Sequence, residues 1–409
     1  MLGAMAAVVL AACTRIETSE RAPSMKPTLI GFSSYTPTSK TKVNDTFIDG
    51  TALVTGKQFA VYAWQTPYEE FLVADPGVPD FMTPAVVTWN NDLTSGSGNG
   101  YEPKRYWPSG DTPANLSFTA YYPYGGAGIT PPTFGRGSGT DIDPFVPSGV
   151  GTYAFDAPAT SAAMVDFCVA DVVNDQTYGN TNKSAANYKG TVNFSFHHML
   201  TKVQFRFKTN NTDENTTVKL VEAKLYNIKT TGTLTASFTR HKEDTDSNPD
   251  TPPVEVTGVN KPGTTTTSWS GQGFAETPIT YQVTLNKLDP TPTSEEIPLT
   301  NSLYPIDNED IFLMVPQTMV PSDGTNPQYL EVTWKVITDG VTTTNTKKLY
   351  FDDCTLYSTP DVGDPVAMSN NDWAKNSSIT YTITIGPNPI YITGTATNWA
   401  AEQNGYFNP

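Results

Sequence analysis

Short hydrophobic runs, many alternating with polar residues, recur along most of this chain. Val203, Phe205 and Phe207 alternate with Gln204 and Arg206. Val332, Trp334 and Val336 alternate with Thr333 and Lys335. Ile379, Tyr381, Ile383 and Ile385 alternate with threonines. A period of two sends successive side chains to opposite faces of an extended backbone, so each run predicts a strand with one buried face. Runs at 29–32, 59–64, 116–122 and 192–196 predict further strands. No stretch keeps a 3.6-residue apolar period over three turns. An all-β sandwich architecture follows.

Turn-forming residues separate the strands. The segments 90–103 and 125–151 are rich in Gly, Ser, Pro and Asp, and 239–267 is a polar insertion; all three read as surface loops. A polar stretch at 174–189 suggests a boundary at 188–191, between an N-terminal β-sandwich domain over 28–189 and a C-terminal one over 190–409.

The first residues read differently. Residues 2–12 are apolar or small and end at Cys13, with Leu10-Ala11-Ala12-Cys13 at the junction. The run has the length of a secretory signal core and is too short for a membrane-spanning helix. Its end looks like a bacterial lipobox, although no Lys or Arg precedes it. Residues 1–13 are therefore expected to be a lipoprotein signal, and the Cys13 thiol is expected to take the diacylglyceryl group that anchors the mature chain in a membrane. Residues 14–26 then form a polar tether.

Composition narrows the function. Of 409 residues, 37% are hydrophobic and 16% charged, so uncharged polar residues supply much of the surface. The formal net charge of −16 repels phosphate backbones, which argues against nucleic-acid binding. None of the familiar metalloprotease, thiol-redox, nucleophile-elbow or phosphate-loop patterns occurs, so no enzymatic activity and no cofactor are expected. His197 and His198 are adjacent on a predicted strand and point to opposite faces, a poor arrangement for sharing a metal. Asp244, Asp246, Asn248 and Glu255 space like a calcium loop, but Pro249 stands where that loop needs glycine. No metal site is expected. Trp64, Trp89, Trp107 and the Tyr121–Tyr124 run suit either a core or a sugar-binding platform. Cys168 and Cys354 are compatible with a disulfide or with two separate buried thiols.

Several of these pieces, in this order, resemble the Bacteroidales fimbrillin family, the type V pilins. They are the lipobox Cys13, the strand Phe59–Trp64, the sequence Tyr106-Trp107-Pro108, and the strand 116–122 closing on Tyr122-Pro123. Asp166-Phe167-Cys168-Val169-Ala170 and Phe196-His197-His198-Met199-Leu200-Thr201-Lys202 follow. Phe312–Gln317, the runs 379–385 and 390–392, and Trp399 complete the series.

The resemblance implies two tandem transthyretin-like β-sandwich domains and a structural or adhesive subunit of a surface fimbria at the outer membrane. Its partners would be other fimbrial subunits, the membrane through the lipid anchor, and a host or bacterial surface receptor. It also implies assembly by donor-strand exchange. A protease would remove the first strand, carrying Leu29, Ile30 and Phe32, and a strand from the next subunit would take its place. Ile390, Ile392 and Trp399 mark the implied donor. Members of that family often carry an arginine in the linker after the first strand, where this chain has Lys40 and Lys42; Arg21 lies ahead of the strand. His198 and Lys202 are expected to be structural. A surface glycan-binding lipoprotein is the alternative.

Overall fold

The computed structural model describes residues 29–35, 53, 56–66, 79–89, 100–108, 115–136, 149–176, 191–239, 264–275, 279–283, 296–303, 311–354, 356–358, 366–367, 371–386 and 390–398. Among them the secondary structure is strands and one 3-10 turn, Ser161–Ala163, as the alternating patterns predict for an all-β chain. No helix among them is long and apolar enough to cross a membrane.

Four sheets carry the fold. The first runs β1 (Gly31–Tyr35), β9 (Thr191–His198), β7 (Cys168–Ala170), β4 (Asn115–Tyr122), β2 (Gln58–Thr66), β3 (Met82–Thr88), with β8 (Val173–Gln176) also on β4. The second runs β13 (Thr264–Gly273), β12 (Thr231–Thr239), β6 (Gly149–Asp156), β5 (Thr133–Arg136). The third runs β16 (Ile311–Met314), β10 (Thr201–Thr209), β21 (Ser377–Ile385), β22 (Ile390–Asn398), β19 (Leu356–Ser358), β20 (Val366–Ala367). The fourth runs β14 (Tyr281–Gln282), β11 (Thr216–Tyr226), β17 (Tyr329–Thr338), β18 (Val341–Tyr350), with β15 (Ile297–Pro298) also on β11. Strands from both sides of residue 190 share sheets: β9 belongs to the first, and β12 pairs with β6 over eight positions.

The first sheet curls. Phe32 on β1 and Phe59 on β2 are four strand steps apart, which in a flat sheet would separate their backbones by about 19 Å. Their ring centroids are 6.5 Å apart. The segment 100–106 bridges the remaining gap, with Gly100 opposite Thr88 beside β3 and Tyr106 opposite Leu29 beside β1. One face of the curled sheet encloses a core of Phe59, Val61, Leu116, Phe118, Phe194 and Phe196 around Phe32. The alternate residues, Tyr62, Trp64 and Tyr121, turn outward and pack on Phe134, Tyr153 and Phe238 of the second sheet. β2 is therefore buried on both faces, from Phe59 through Trp64.

Two expected loops hold structure. Residues 100 and 101 fall in the segment read as a surface loop, yet Tyr101 is buried. The segment 125–151 contains β5 and the start of β6. Their glycines and prolines mask single aromatic anchors, Tyr101 and Phe134, that decide the packing.

At Met199–Leu200 the chain passes from β9 in the first sheet to β10 in the third. The third and fourth sheets then enclose Phe205, Phe312, Tyr281, Leu330 and Tyr381.

Candidate functional site

β1 is short, and alternation decides what it buries. Ile30 and Phe32 are fully enclosed, whereas Leu29, expected to fill the same groove, is 40% exposed because its neighbour Ile30 takes the inward position. Phe32 sits among four aromatic rings, those of Phe59, Tyr101, Phe118 and Phe194, with centroids 5.3–6.5 Å away. Burying side chains of this size contributes about 1.5–3 kcal/mol each.

The backbone of β1 is held on two sides. It lies parallel to β9 from Gly31 opposite Thr191 to Tyr35 opposite Ser195. The Ser33 hydroxyl also donates to the Asn193 side-chain oxygen. On the other side the Ile30 N–H donates to the Arg105 carbonyl, 3.0 Å. Tyr101 locks this second contact: its hydroxyl is 3.0 Å from the Ile30 carbonyl and 3.1 Å from that of Arg105. Burial pushes the Tyr101 phenol up to about 12, so it stays a donor at neutral pH. Without β1, the edge of β9 would lose its ladder partners and an aromatic slot would open to water.

The implied donor strand is occupied. β22 pairs with β21 from Ile385 opposite Ile390 to Ser377 opposite Asn398, and with β19 from Leu356 opposite Gly394 to Ser358 opposite Ala396. Ile390 is buried and Ile392 packs against the same core. The remaining sites named from sequence, Cys13, Arg21, Lys40, Lys42 and Trp399, lie outside the described residues, as does the acidic segment from Asp244 to Glu255.

A second cluster lies inside the curled sheet. Cys168 on β7 stands opposite His198 on β9 and opposite Tyr122 on β4, so the three side chains share one face. Asp166 precedes β7, and its carboxylate Oδ1 is 2.8 Å from His198 Nδ1. Cys168 Sγ is 3.4 Å from Asp166 Oδ1 and 3.5 Å from His198 Nδ1. All three residues are buried. Burial pushes the Cys168 thiol well up, and the Asp166 charge adds to the effect. His197 points to the opposite face, as expected, and its Nε2 is 2.7 Å from Asp171 Oδ2. In the sequence the two histidines stand out only as a pair, which does not show that Asp166 and Cys168 converge on His198. The separation of two residues between Asp166 and Cys168 was the available signal.

The other candidates resolve into packing. Trp64, Trp89 and Trp107 are buried, as are Tyr121 and Tyr122, and form no surface platform for a sugar; Tyr124 of the same run is exposed, with its ring against that of Tyr121. Cys168 and Cys354 do not pair: each is buried, in separate cores. Lys202 is buried on β10, opposite Leu313 and Ser378.

Comparison with known proteins agrees with the order of motifs. A family model described as fimbrillin-like matches residues 41–399. "Fimbrium subunit Fim1C" of Phocaeicola vulgatus is 28% identical over 205 residues, which is 50% of this chain and 49% of that protein. The chain thus spans about half the length of the curated relative it matches. A fimbrial protein from Bacteroides vulgatus, known from a crystal structure, is 19% identical, with 91% of this chain and 99% of that chain covered at a TM-score of 0.47. The tip fimbrial protein Mfa3 from Porphyromonas gingivalis, with a C-terminal truncation, is 9% identical, with 85% and 95% covered at a TM-score of 0.32. At these TM-scores the structural likenesses carry no further argument.

Proposed function

We propose that this chain, which belongs to the fimbrillin-like family, is a structural or adhesive subunit of a surface fimbria, and that β1 occupies the place a strand from a neighbouring subunit takes in the fibre. The observation that carries the proposal is Phe32, a residue of a five-residue strand, at the centre of a ring of four aromatics. A short strand that supplies both a ladder edge and a core plug is a replaceable part: a strand of similar pattern restores the hydrogen bonds and the burial together.

The remaining steps follow from the same reading. The chain is exported as a lipoprotein and held at the outer membrane through Cys13. Cleavage in the linker after β1, at Lys40 or Lys42, releases β1; cleavage at Arg21 would free the chain with β1 still seated. The donor comes from the C-terminal region, around Ile390, Ile392 and Trp399. Because β22 is paired on both sides within its own sheet, a donor drawn from it must leave β21 and β19 first. Other fimbrial subunits are the partners, a host or bacterial surface receptor is the target of an adhesive role, and the role is not catalytic. The glycan-binding alternative loses its main support, since the tryptophans it needed are buried.

The test is controlled cleavage of the full chain between residues 38 and 43 at high concentration. Multimers that survive detergent are the expected product. Cleaved chains that stay monomeric would exclude a self-polymerising subunit.

A further inference from the structure

We infer that Asp166, Cys168 and His198 form a binding site for a divalent cation of the zinc type, inside the curled sheet and separate from the seat of β1. Three donors of different chemistry, a carboxylate oxygen, a thiol sulfur and an imidazole nitrogen, converge there from two neighbouring strands. Their separations are 3.4 Å (S–O), 3.5 Å (S–N) and 2.8 Å (N–O). Zinc bonds of about 2.3 Å to sulfur and about 2.0–2.2 Å to nitrogen and oxygen, at tetrahedral angles, require edges of about 3.3–3.6 Å. Two of the three edges already have that length. The third must widen by about half an ångström, replacing a direct hydrogen bond by two metal bonds.

Charge and ligand chemistry point the same way. A thiolate and a carboxylate together balance a divalent cation, so the loaded site is neutral, which suits a cluster that is almost wholly buried; the fourth tetrahedral position would be left to a water. On binding, the metal–sulfur bond forms as the S–H bond breaks, and the metal takes the place of the proton held between His198 Nδ1 and Asp166 Oδ1, which passes to Nε2 of the ring or to solvent; the thiol proton leaves to solvent, and nothing is oxidised or reduced. Thiolate with imidazole selects zinc and its neighbours over magnesium or calcium, which take oxygen ligands. Because Tyr122, Cys168 and His198 sit in one row across β4, β7 and β9, a bound ion would tie β7 to β9, the strand on which β1 rests. The inference does not depend on the fimbrial role.

The experiment uses the full chain, expressed in zinc-supplemented medium and separated from loose metal by gel filtration. Its metal content is compared with that of Cys168→Ala, which keeps a small apolar group at the buried position, and of Asp166→Asn. The expected result is zinc at half-occupancy or more in the wild type, falling at least five-fold in both variants. A parallel preparation in cobalt should show the intense near-ultraviolet absorption of a thiolate–cobalt bond, lost in Cys168→Ala. Wild-type protein with less metal than that, metal unchanged in Cys168→Ala, or cobalt protein without the thiolate band would overturn the assignment and leave an Asp166–His198 hydrogen bond with a neighbouring thiol.

Discussion

His198 Nδ1 lies 2.8 Å from Asp166 Oδ1, with both side chains buried, and the contact joins two motifs that the sequence presents separately. It fixes the end of β9 against the approach to β7, just before the chain crosses to β10. Removing one partner leaves the other polar and dry, at a cost of about 1–3 kcal/mol. His198→Ala is therefore expected to lower the melting temperature by about 1–3 °C, since a chain of 409 residues shifts by only about 1 °C per kcal/mol. The double variant with Asp166→Ala should lose less than the two singles added together. Circular dichroism melts of the four proteins check this; strict additivity would mean the contact does not form.

Phe32 should govern how firmly β1 is held. Phe32→Ala removes a ring from the aromatic cluster, which costs about 3–5 kcal/mol when the gap cannot close. Limited proteolysis at 36–43 should then proceed faster, and multimers should appear sooner after cleavage. Equal rates in both proteins would count against β1 as the retained plug.

Alkali should loosen the same seat. The folded pKa of Tyr101 is about 12, above the ordinary phenol value of 10.0. The neutral form is favoured in the fold, so its stabilising contribution is complete below pH 10 and declines as the pH rises toward 12. Tyr62 behaves alike and also contributes. Melting temperatures measured from pH 8 to pH 11 should fall. They should fall less steeply in Tyr101→Phe, which starts lower because it lacks the bonds to Ile30 and Arg105. Identical slopes would show that Tyr101 does not couple to unfolding.

Anchoring should depend on Cys13. Serine cannot form the thioether, so Cys13→Ser should leave an unlipidated precursor, uncleaved or soluble. Palmitate labelling in cells decides the matter: label retained in the variant would remove the lipobox assignment.

The donor can be located by truncation. Ending the chain after Asn398 keeps the nine-position pairing of β22 with β21, whereas ending it before Ile390 removes that strand from the third sheet. Loss of multimers in both truncations would place the donor at Trp399 and beyond; loss only in the shorter chain would place it in β22. Unchanged assembly in both would exclude a C-terminal donor.

Much of the secondary structure is legible in the sequence because a half-buried strand needs only local alternation. Val203–Phe207, Val332–Val336 and Ile379–Ile385 lie in β10, β17 and β21, each with its predicted apolar face inward. The strands of the second sheet are harder to read, since Gly151 in β6 has no side chain to bury and β13 is mainly threonine and serine rather than alternating apolar residues. By itself the sequence determined an all-β chain, the order of the family motifs and the inward positions of Ile30 and Phe32. Only the tertiary structure decided that the first sheet curls until Phe32 meets Phe59 and that Asp166 and Cys168 meet His198. Each depends on pairing between distant segments, as between Ser33 and Asn193, 160 residues apart. A two-residue period states which face is apolar; it does not state which distant strand lies beside it, because strands of one pattern compete for every such edge.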